Sequence, residues 1–334
     1  LQFFGLRDVG FAPNADYAST IPELVFMIFQ GMFAIITPAL IIGAFVERIR
    51  FSTLIAFVLL WTTFIYDPVA HSVWGLGGWL RDLGALDFAG GTVVHMTAGF
   101  SALAAAMLVG KRLVHTPVGS SANNIPFVIL GAALLLFGWF GFNAGSALAS
   151  GVIAASAFVV TNTAAAAAAL TWTFLSWAEN RKPSAMAAAT GAVCGLVAIT
   201  PASGFVGPIA ALAIGIIAGV ITYSAVYIRT HKIGIDDTLD VWAAHGIGGL
   251  VGAVLTGVFA EKAINAAGNN GLLFGNSNQL AIQIIAVAVV ALYSFIGTWL
   301  ILKLISFFSP LRVSSSQESQ GLDLAVHGEA GYRL

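Results

Sequence analysis

Two histidines, His95 and His245, lie inside long apolar runs of this 334-residue chain. Ionisable side chains inside a membrane span are costly to keep there and mark candidate functional positions. A neutral imidazole carries one donor and one acceptor nitrogen. Two in contact would offer a proton path and a way to orient a small polar solute. The sequences after the two residues resemble each other, HMTAGFSALAAAMLVGKR from His95 and HGIGGLVGAVLTGVFAEK from His245. Each has a glycine four residues on (Gly99, Gly249) and its first charge sixteen residues on (Lys111, Glu261). Each is preceded by an acid, Asp87 or Asp240. The plainer alternative is that each His only hydrogen-bonds a neighbouring helix. A metal site is a weaker one, because two His ligands without a nearby Cys or carboxylate fall short of the usual four-coordinate set.

Positioning such a pair requires helices that cross lipid, and the composition supplies them. Apolar residues make up 58 % and charged residues 9 %, against about 25 % charged in a soluble domain. So few charges cannot cover a water-facing surface, which excludes a soluble enzyme, a nucleic-acid binder and a disordered scaffold. The net charge of −1 leaves no basic surface for phosphate backbones. The one cysteine, Cys194, rules out a disulfide framework and reads as an inert packing residue. No nucleophile, cofactor motif or metal set is legible, so neither enzymatic activity nor a cofactor is expected. Crossing a hydrocarbon core takes about 17 to 25 apolar residues. Nine runs qualify: 21–46, 52–68, 90–110, 126–145, 151–177, 185–202, 206–228, 241–260 and 280–308. They are rich in Gly and Ala, which let helices approach closely in lipid. The alternation of a transmembrane β-barrel is missing. The reading is an all-α integral membrane protein, a polytopic helical bundle.

Alternate loops carry eleven of the fourteen Lys and Arg residues, among them Arg48, Lys111, Arg181, Arg229 and Arg312, while Arg7, Arg81 and Lys262 lie on the other side. Positive charge accumulates on the cytoplasmic side, so residues 1–20 form an external loop, 21–309 the membrane domain and 310–334 a cytoplasmic tail. His95 and His245 fall on the third and eighth spans. Five spans apart, these helices run in opposite directions, the parity of an inverted repeat with its site near the midplane. Sixteen residues at 1.5 Å rise put each histidine about 24 Å from opposite faces, so the two meet near the middle of the bilayer.

The stretch DFAGGTVVHMTAGFSALAAAMLVGKR, Asp87 to Arg112, closely resembles the ammonium transporter signature of the Amt/MEP/Rh family. FQGMF (Phe29 to Phe33) followed by GAFVERIRF, AHSVWG (Ala70 to Gly75), GWFGFNAGS (Gly138 to Ser146), DDTLDVWAAHGIGG (Asp236 to Gly249) and GLDLAVHGEAGY (Gly321 to Tyr332) resemble the same family in the same order. The resemblance covers essentially the whole chain. It implies eleven spans in a five-plus-five inverted repeat with one extra. With nine spans and no start Met or signal-peptide layout, this chain is expected to lack the first two.

The resemblance further implies transport of ammonium or ammonia. Trp74, otherwise readable as an interfacial belt tryptophan, would hold a cation against its ring in an external loop. Ser146 would accept a hydrogen bond from it. Phe33 and Phe142, two of 24 phenylalanines, would form an apolar gate, with Phe29 one turn before Phe33 on the same face. His95 and His245 would be a twin-histidine pair below. Asp87 is read as the N-cap of the His95 helix, the alternative being a remote cation attractor, with Asp240 as its inner counterpart. In the tail, SSSQESQ is compatible with local disorder, and GLDLAVHGEAGY implies coupling to a PII-type regulatory protein. A homotrimer in the cell membrane is implied, with lipid around it. An ammonium sensor signalling through the tail is the alternative, and a gas channel like the Rh branch a third reading that Trp74 and Ser146 disfavour.

Overall fold

The computed structural model describes residues 3–113 and 122–331. Among them it is helical throughout, with no strand beyond two isolated bridges, Asn14 with Ala18 and Ile49 with Arg312. The main helices are α1 (Glu23–Ile42), α2 (Phe51–Trp61), α3 (Asp67–Trp74), α4 (Trp79–Leu83), α5 (Thr97–Val109), α6 (Ile125–Gly145), α7 (Val152–Asn180), α8 (Ala185–Ile199), α9 (Pro208–Ile228), α10 (Gly248–Phe259), α11 (Ser277–Phe308) and α12 (Ser315–Gln320). Eight continuous helical segments are long and apolar enough to cross a membrane. The sixth of the nine expected runs is a shorter apolar helix, α8, of 15 residues. The chain is an all-helical polytopic membrane protein.

Two expected boundaries differ. The run at 52–68 continues through a π-helical turn, Thr62–Tyr66, into α3. Trp74 therefore ends a helix and does not sit in a loop. Pro68 lies just after this π turn inside one continuous helical segment, where its missing N–H forgoes one backbone hydrogen bond. The segment SSSQESQ forms α12, because Ser314 and Gln317 make a capping box and Glu318 pairs with Arg312 at 2.7 Å.

Small residues set the helix spacing. A Cβ on Gly195 would lie 2.4 Å from the Ala164 carbonyl of α7, and one on Gly215 would lie 2.5 Å from the same oxygen. Helices α8 and α9 therefore both press onto α7 through backbone contact. The same device operates at the centre. A Cβ on Gly99 would sit 2.1 Å from the Gly246 nitrogen, and one on Gly249 would sit 2.7 Å from the Gly91 carbonyl. The helices carrying His95 and His245 cross there with nothing between their backbones. The loops with most of the Lys and Arg gather at one end. There Arg48, fully buried, donates to the carbonyls of Gly110, Ala44, Val46 and Asp236 and to the Thr238 hydroxyl.

Gly99→Ala must therefore push the two central helices apart, because the atoms in the way are backbone. Overpacking of this kind costs about 1–3 kcal/mol. We expect the denaturant midpoint of the detergent-solubilised protein to fall accordingly. Gly131→Ala, where a Cβ meets nothing within 4 Å, should leave it unchanged.

Candidate functional site

Both histidines ride on π-helical turns, Gly91–Met96 leading into α5 and Trp242–Ile247 leading into α10. Such turns release one backbone hydrogen bond and recur at functional sites. The first is secured by Asp87. Its carboxylate accepts from the N–H groups of Gly90 at 2.8 Å, Gly91 at 2.6 Å, Thr92 at 2.8 Å and Val93 at 3.1 Å, and from the Thr92 hydroxyl. Orphan N–H groups at a helix start are costly in lipid, and one side chain satisfies four of them. Gly90 carries the loop into the helix with φ of +117°, in the region that favours glycine.

The second turn has the same construction with a different residue. Asp237 accepts from Val241 N–H at 3.0 Å and Trp242 N–H at 2.7 Å. Asp240, expected as the counterpart of Asp87, instead takes Arg229 at 2.6 Å and 3.1 Å. The overlooked sign was spacing: Asp87 precedes His95 by eight residues, and Asp237 precedes His245 by eight. Burial, and then the neighbouring Asp240 charge, push the Asp237 carboxyl up to about 6. Beside it, burial raises the Asp236 carboxyl, but hydrogen bonds from Arg112 more than reverse this and hold it below its ordinary range.

The glycine crossing brings the imidazoles together. His95 Nδ1 and His245 Nδ1 are 3.2 Å apart, with His95 1 % exposed and His245 8 %. Because both nitrogens are δ, one ring donates and the other accepts, so the rings hold opposite tautomers. The His95 Nε2 is buried without a hydrogen-bond partner among the described residues. His95 lies near parallel to Trp139 at 5.2 Å and to Phe142 at 5.8 Å, and those two rings are themselves 5.3 Å apart, so the three form one cluster. Phe142 meets Phe33 edge-on at 4.7 Å, and Phe33 meets Phe29 at 4.9 Å and Trp74 at 5.6 Å. The structure thus links Trp74, Phe33, Phe142 and His95 in one unbroken chain of rings. Trp139, which joins this cluster beside Phe142, is not among the site residues expected from sequence. It lies three residues before Phe142, a helical neighbour on the same face.

Above Phe33 opens a cavity of about 420 Å³, lined by Phe29, Phe33, Trp74, Ser146, Asp16 and Gln30 among others. Five of the nine site residues expected from sequence thus meet at or just beneath it. The Trp74 indole donates to the Asp87 carbonyl at 2.8 Å, which fixes the ring against the cap of the His95 helix. The Ser146 hydroxyl donates to the Phe142 carbonyl at 2.8 Å, which leaves its oxygen free to accept.

A family model, the Ammonium Transporter Family, matches residues 2–332. The chain belongs to this family. It is 49 % identical over 333 residues to an ammonium transporter of Bacillus subtilis (strain 168), covering 100 % of this chain and 81 % of that one. Amt1 of Archaeoglobus fulgidus is 49 % identical over 310 residues, with 93 % and 78 % covered. The crystal structure of Candida albicans Mep2 superposes with a TM-score of 0.89 at 38 % identity, covering 95 % of this chain and 71 % of that one. A structure described as a sensor Amt protein gives 0.84 at 33 % identity, with 95 % and 84 % covered. This ammonium transporter family member therefore carries its ring chain and its joined histidines within one polypeptide.

The two caps make a prediction. Asp87→Asn and Asp237→Asn each turn an NH₂ group towards backbone donors. Both should lower unfolding stability by about 1–3 kcal/mol, the cost of unsatisfied buried groups. Asp240→Asn weakens only a partly exposed pair and should cost about 0–1 kcal/mol. Denaturant unfolding of the three variants in detergent checks the order.

Proposed function

We propose that this protein moves ammonium across the cell membrane by recruiting the cation outside and passing ammonia through the apolar centre. The observation that carries the reading is the 3.2 Å contact between His95 and His245 directly beneath the Phe33–Phe142 pair. A hydrated ion is recruited in the outer cavity, where the Trp74 face attracts it and the Ser146 oxygen accepts one of its N–H bonds. Phe29 belongs to the same wall. Below, the stacked phenylalanines leave no room for a hydration shell. Desolvation disfavours the charged form of an amine, so the ion is driven towards ammonia and a proton.

The histidine pair suits both products. The ring whose Nδ1 donates has an Nε2 lone pair that can take a proton. Its Nδ1 proton then shifts to the facing Nδ1, and the second ring releases its own Nε2 proton. The remaining polar edges hold ammonia in line. The neutral pair needs no counter-charge at the midplane. Asp87 and Asp237 serve this arrangement by fixing the two turns, and Asp240 serves it indirectly by pairing with Arg229.

We further infer an inverted repeat, supported by the matching carboxylate–π-turn–histidine–glycine units. We also infer a homotrimer with one pore per subunit, since all the pore residues lie in one chain. The Lys and Arg distribution supports a cytoplasmic tail, for which a PII-type regulatory protein is the proposed partner. The likeness to the sensor Amt structure supports a second reading, an ammonium sensor that signals through the same tail. Uptake in cells lacking other ammonium routes separates the two.

Trp74→Leu keeps an apolar surface but removes the ring quadrupole, which is worth about 0.5–2 kcal/mol to a cation. Uptake should fall more at low than at high ammonium. Equal loss at all concentrations points to a structural role instead.

The mechanism itself is tested by His95→Asp. A carboxylate at midplane is costly unless a cation compensates it. In planar bilayers this variant should conduct K⁺ alongside ammonium, and His245→Asp should do the same. His95→Ala should mainly reduce proton-coupled flux. If both Asp variants exclude K⁺ with unchanged ammonium current, the relay is wrong.

A further inference from the structure

Two glutamines stand one turn apart on α11, Gln279 and Gln283, each 1 % exposed. A buried amide in a membrane span has to find partners within the protein. Gln283 finds them on a single residue of the outer loop. Its Oε1 accepts from the Leu86 N–H at 2.7 Å, and its Nε2 donates to the Leu86 carbonyl at 2.8 Å. The same Nε2 donates to the Ala253 carbonyl of α10 at 3.0 Å. Gln279 donates to the Gly84 carbonyl at 2.9 Å. Together the two side chains hold both polar groups of residue 86 and one of residue 84.

Leu86 is the neighbour of Asp87. The Asp87 carbonyl receives the Trp74 indole, and its carboxylate caps the turn that carries His95. Trp74 thus hangs from a loop whose position is set one residue away by an amide on another helix. That loop contains Gly84 at φ of +98° and Gly90 at φ of +117°, and its backbone is also tied by the Ala85 N–H on the Leu80 carbonyl at 3.0 Å and the Phe88 N–H on the Pro201 carbonyl at 3.1 Å. None of the residues lining the outer cavity comes from α11. Any influence of Gln283 on that cavity has to pass through the loop.

We propose that Gln283 is a positioning residue for the outer cation site, with Gln279 as its support. The amide clamps Leu86, Leu86 places Asp87, and Asp87 orients the Trp74 ring over the cavity. Through Ala253 the same amide also ties this loop to the helix of His245, so the outer site and the histidine pair share one anchor. The proposal rests on the reading of the cavity as the place where ammonium is recruited.

Gln283→Met keeps the volume and removes these three hydrogen bonds together with the one its Oε1 accepts from Gln279 at 3.4 Å. The Leu86 N–H and carbonyl are then left buried without their partner, and the loop must move to satisfy them. In saturation uptake of radiolabelled methylammonium by cells producing the full chain, the half-saturating concentration should rise about three- to tenfold. The maximal rate should stay within about twofold, and Gln279→Met should show the same split at smaller size. A Trp74→Leu background decides the route. Sites that act through one another are not additive, so Gln283→Met should add no further rise there. An unchanged half-saturation, a fall in maximal rate alone, or a full additive rise in the Trp74→Leu background overturns the proposal. Should Gln283→Met fail to reach the membrane, Gln279→Met carries the same test, and an unchanged half-saturation overturns it. If Trp74→Leu alone leaves half-saturation where it was, the outer-site reading itself fails. If Trp74→Leu raises it and the glutamine variants do not, only the role given to Gln283 fails.

Discussion

Everything at the centre of this protein depends on two helices touching backbone to backbone. Gly99 lies against Gly246, and Gly249 lies against Gly91 and the His95 Cβ. Lipid supplies no hydrophobic force to drive this approach, so van der Waals contact between small residues must do it. The crossing sets the Nδ1 to Nδ1 distance of the two histidines. A single methyl group at either glycine would occupy the space that the contact requires. The π turns follow from the same constraint. Each shifts the register so that an imidazole turns towards its partner, and each frees N–H groups that lipid cannot satisfy. The carboxylates of Asp87 and Asp237 absorb that cost. Two acids that never touch one another thus make possible a contact between two neutral bases.

The rings above the pair solve a different physical problem. His95, 1 % exposed, clusters with Trp139 and Phe142, whose rings also meet one another. Phe33 packs edge-on against Phe142 and against Trp74. Edge-to-face contact offers the positive rim of one ring to the negative face of the next. The stack is anchored at the rim by the Trp74 indole N–H on the Asp87 carbonyl at 2.8 Å, and deeper by the Trp139 indole N–H on the Thr200 hydroxyl at 2.9 Å.

Much of this was legible in the residues, and what was not has local causes. The histidine pair and its glycines were readable because a His followed four residues later by Gly occurs twice in spans of opposite direction. Asp240 was read as the second cap because it is the acid nearest to His245. Nearness in sequence misled, since a cap must sit at the helix start, and the extra residue of a π turn moves that start. Asp237, at the spacing of Asp87, obeys the geometry. Trp74 was expected in a loop because the apolar run ends near residue 68, yet the helix persists to satisfy its backbone whatever the side chains are. Helix α12 was obscured by its serines, although Ser314 followed by Gln317 is a capping signal.

The two ends of the bundle are held by different chemistry. At the cavity end, the neutral bonds of Gln283 on Leu86 and of the Trp74 indole on the Asp87 carbonyl stand beside the Asp87 carboxylate cap and Arg81 on the Trp74 carbonyl at 2.7 Å. At the other end the work falls to charge. Arg48 engages five oxygens through all of its N–H groups, and Arg112 grips Asp236 through Nε at 3.0 Å and through its own N–H at 2.9 Å. The tail joins the same end, with the Val313 N–H on the Arg48 carbonyl at 3.0 Å and the Arg50 N–H on the Leu311 carbonyl at 2.9 Å. Arg48 also holds the carbonyl of Asp236, the neighbour of the cap at Asp237. Residue 313 and the loop that secures the His245 turn thus meet on one residue, Arg48. Neutral amide bonds are short-ranged and insensitive to ionic strength, whereas buried ion pairs are strong only while complete, because removing one partner leaves an uncompensated charge.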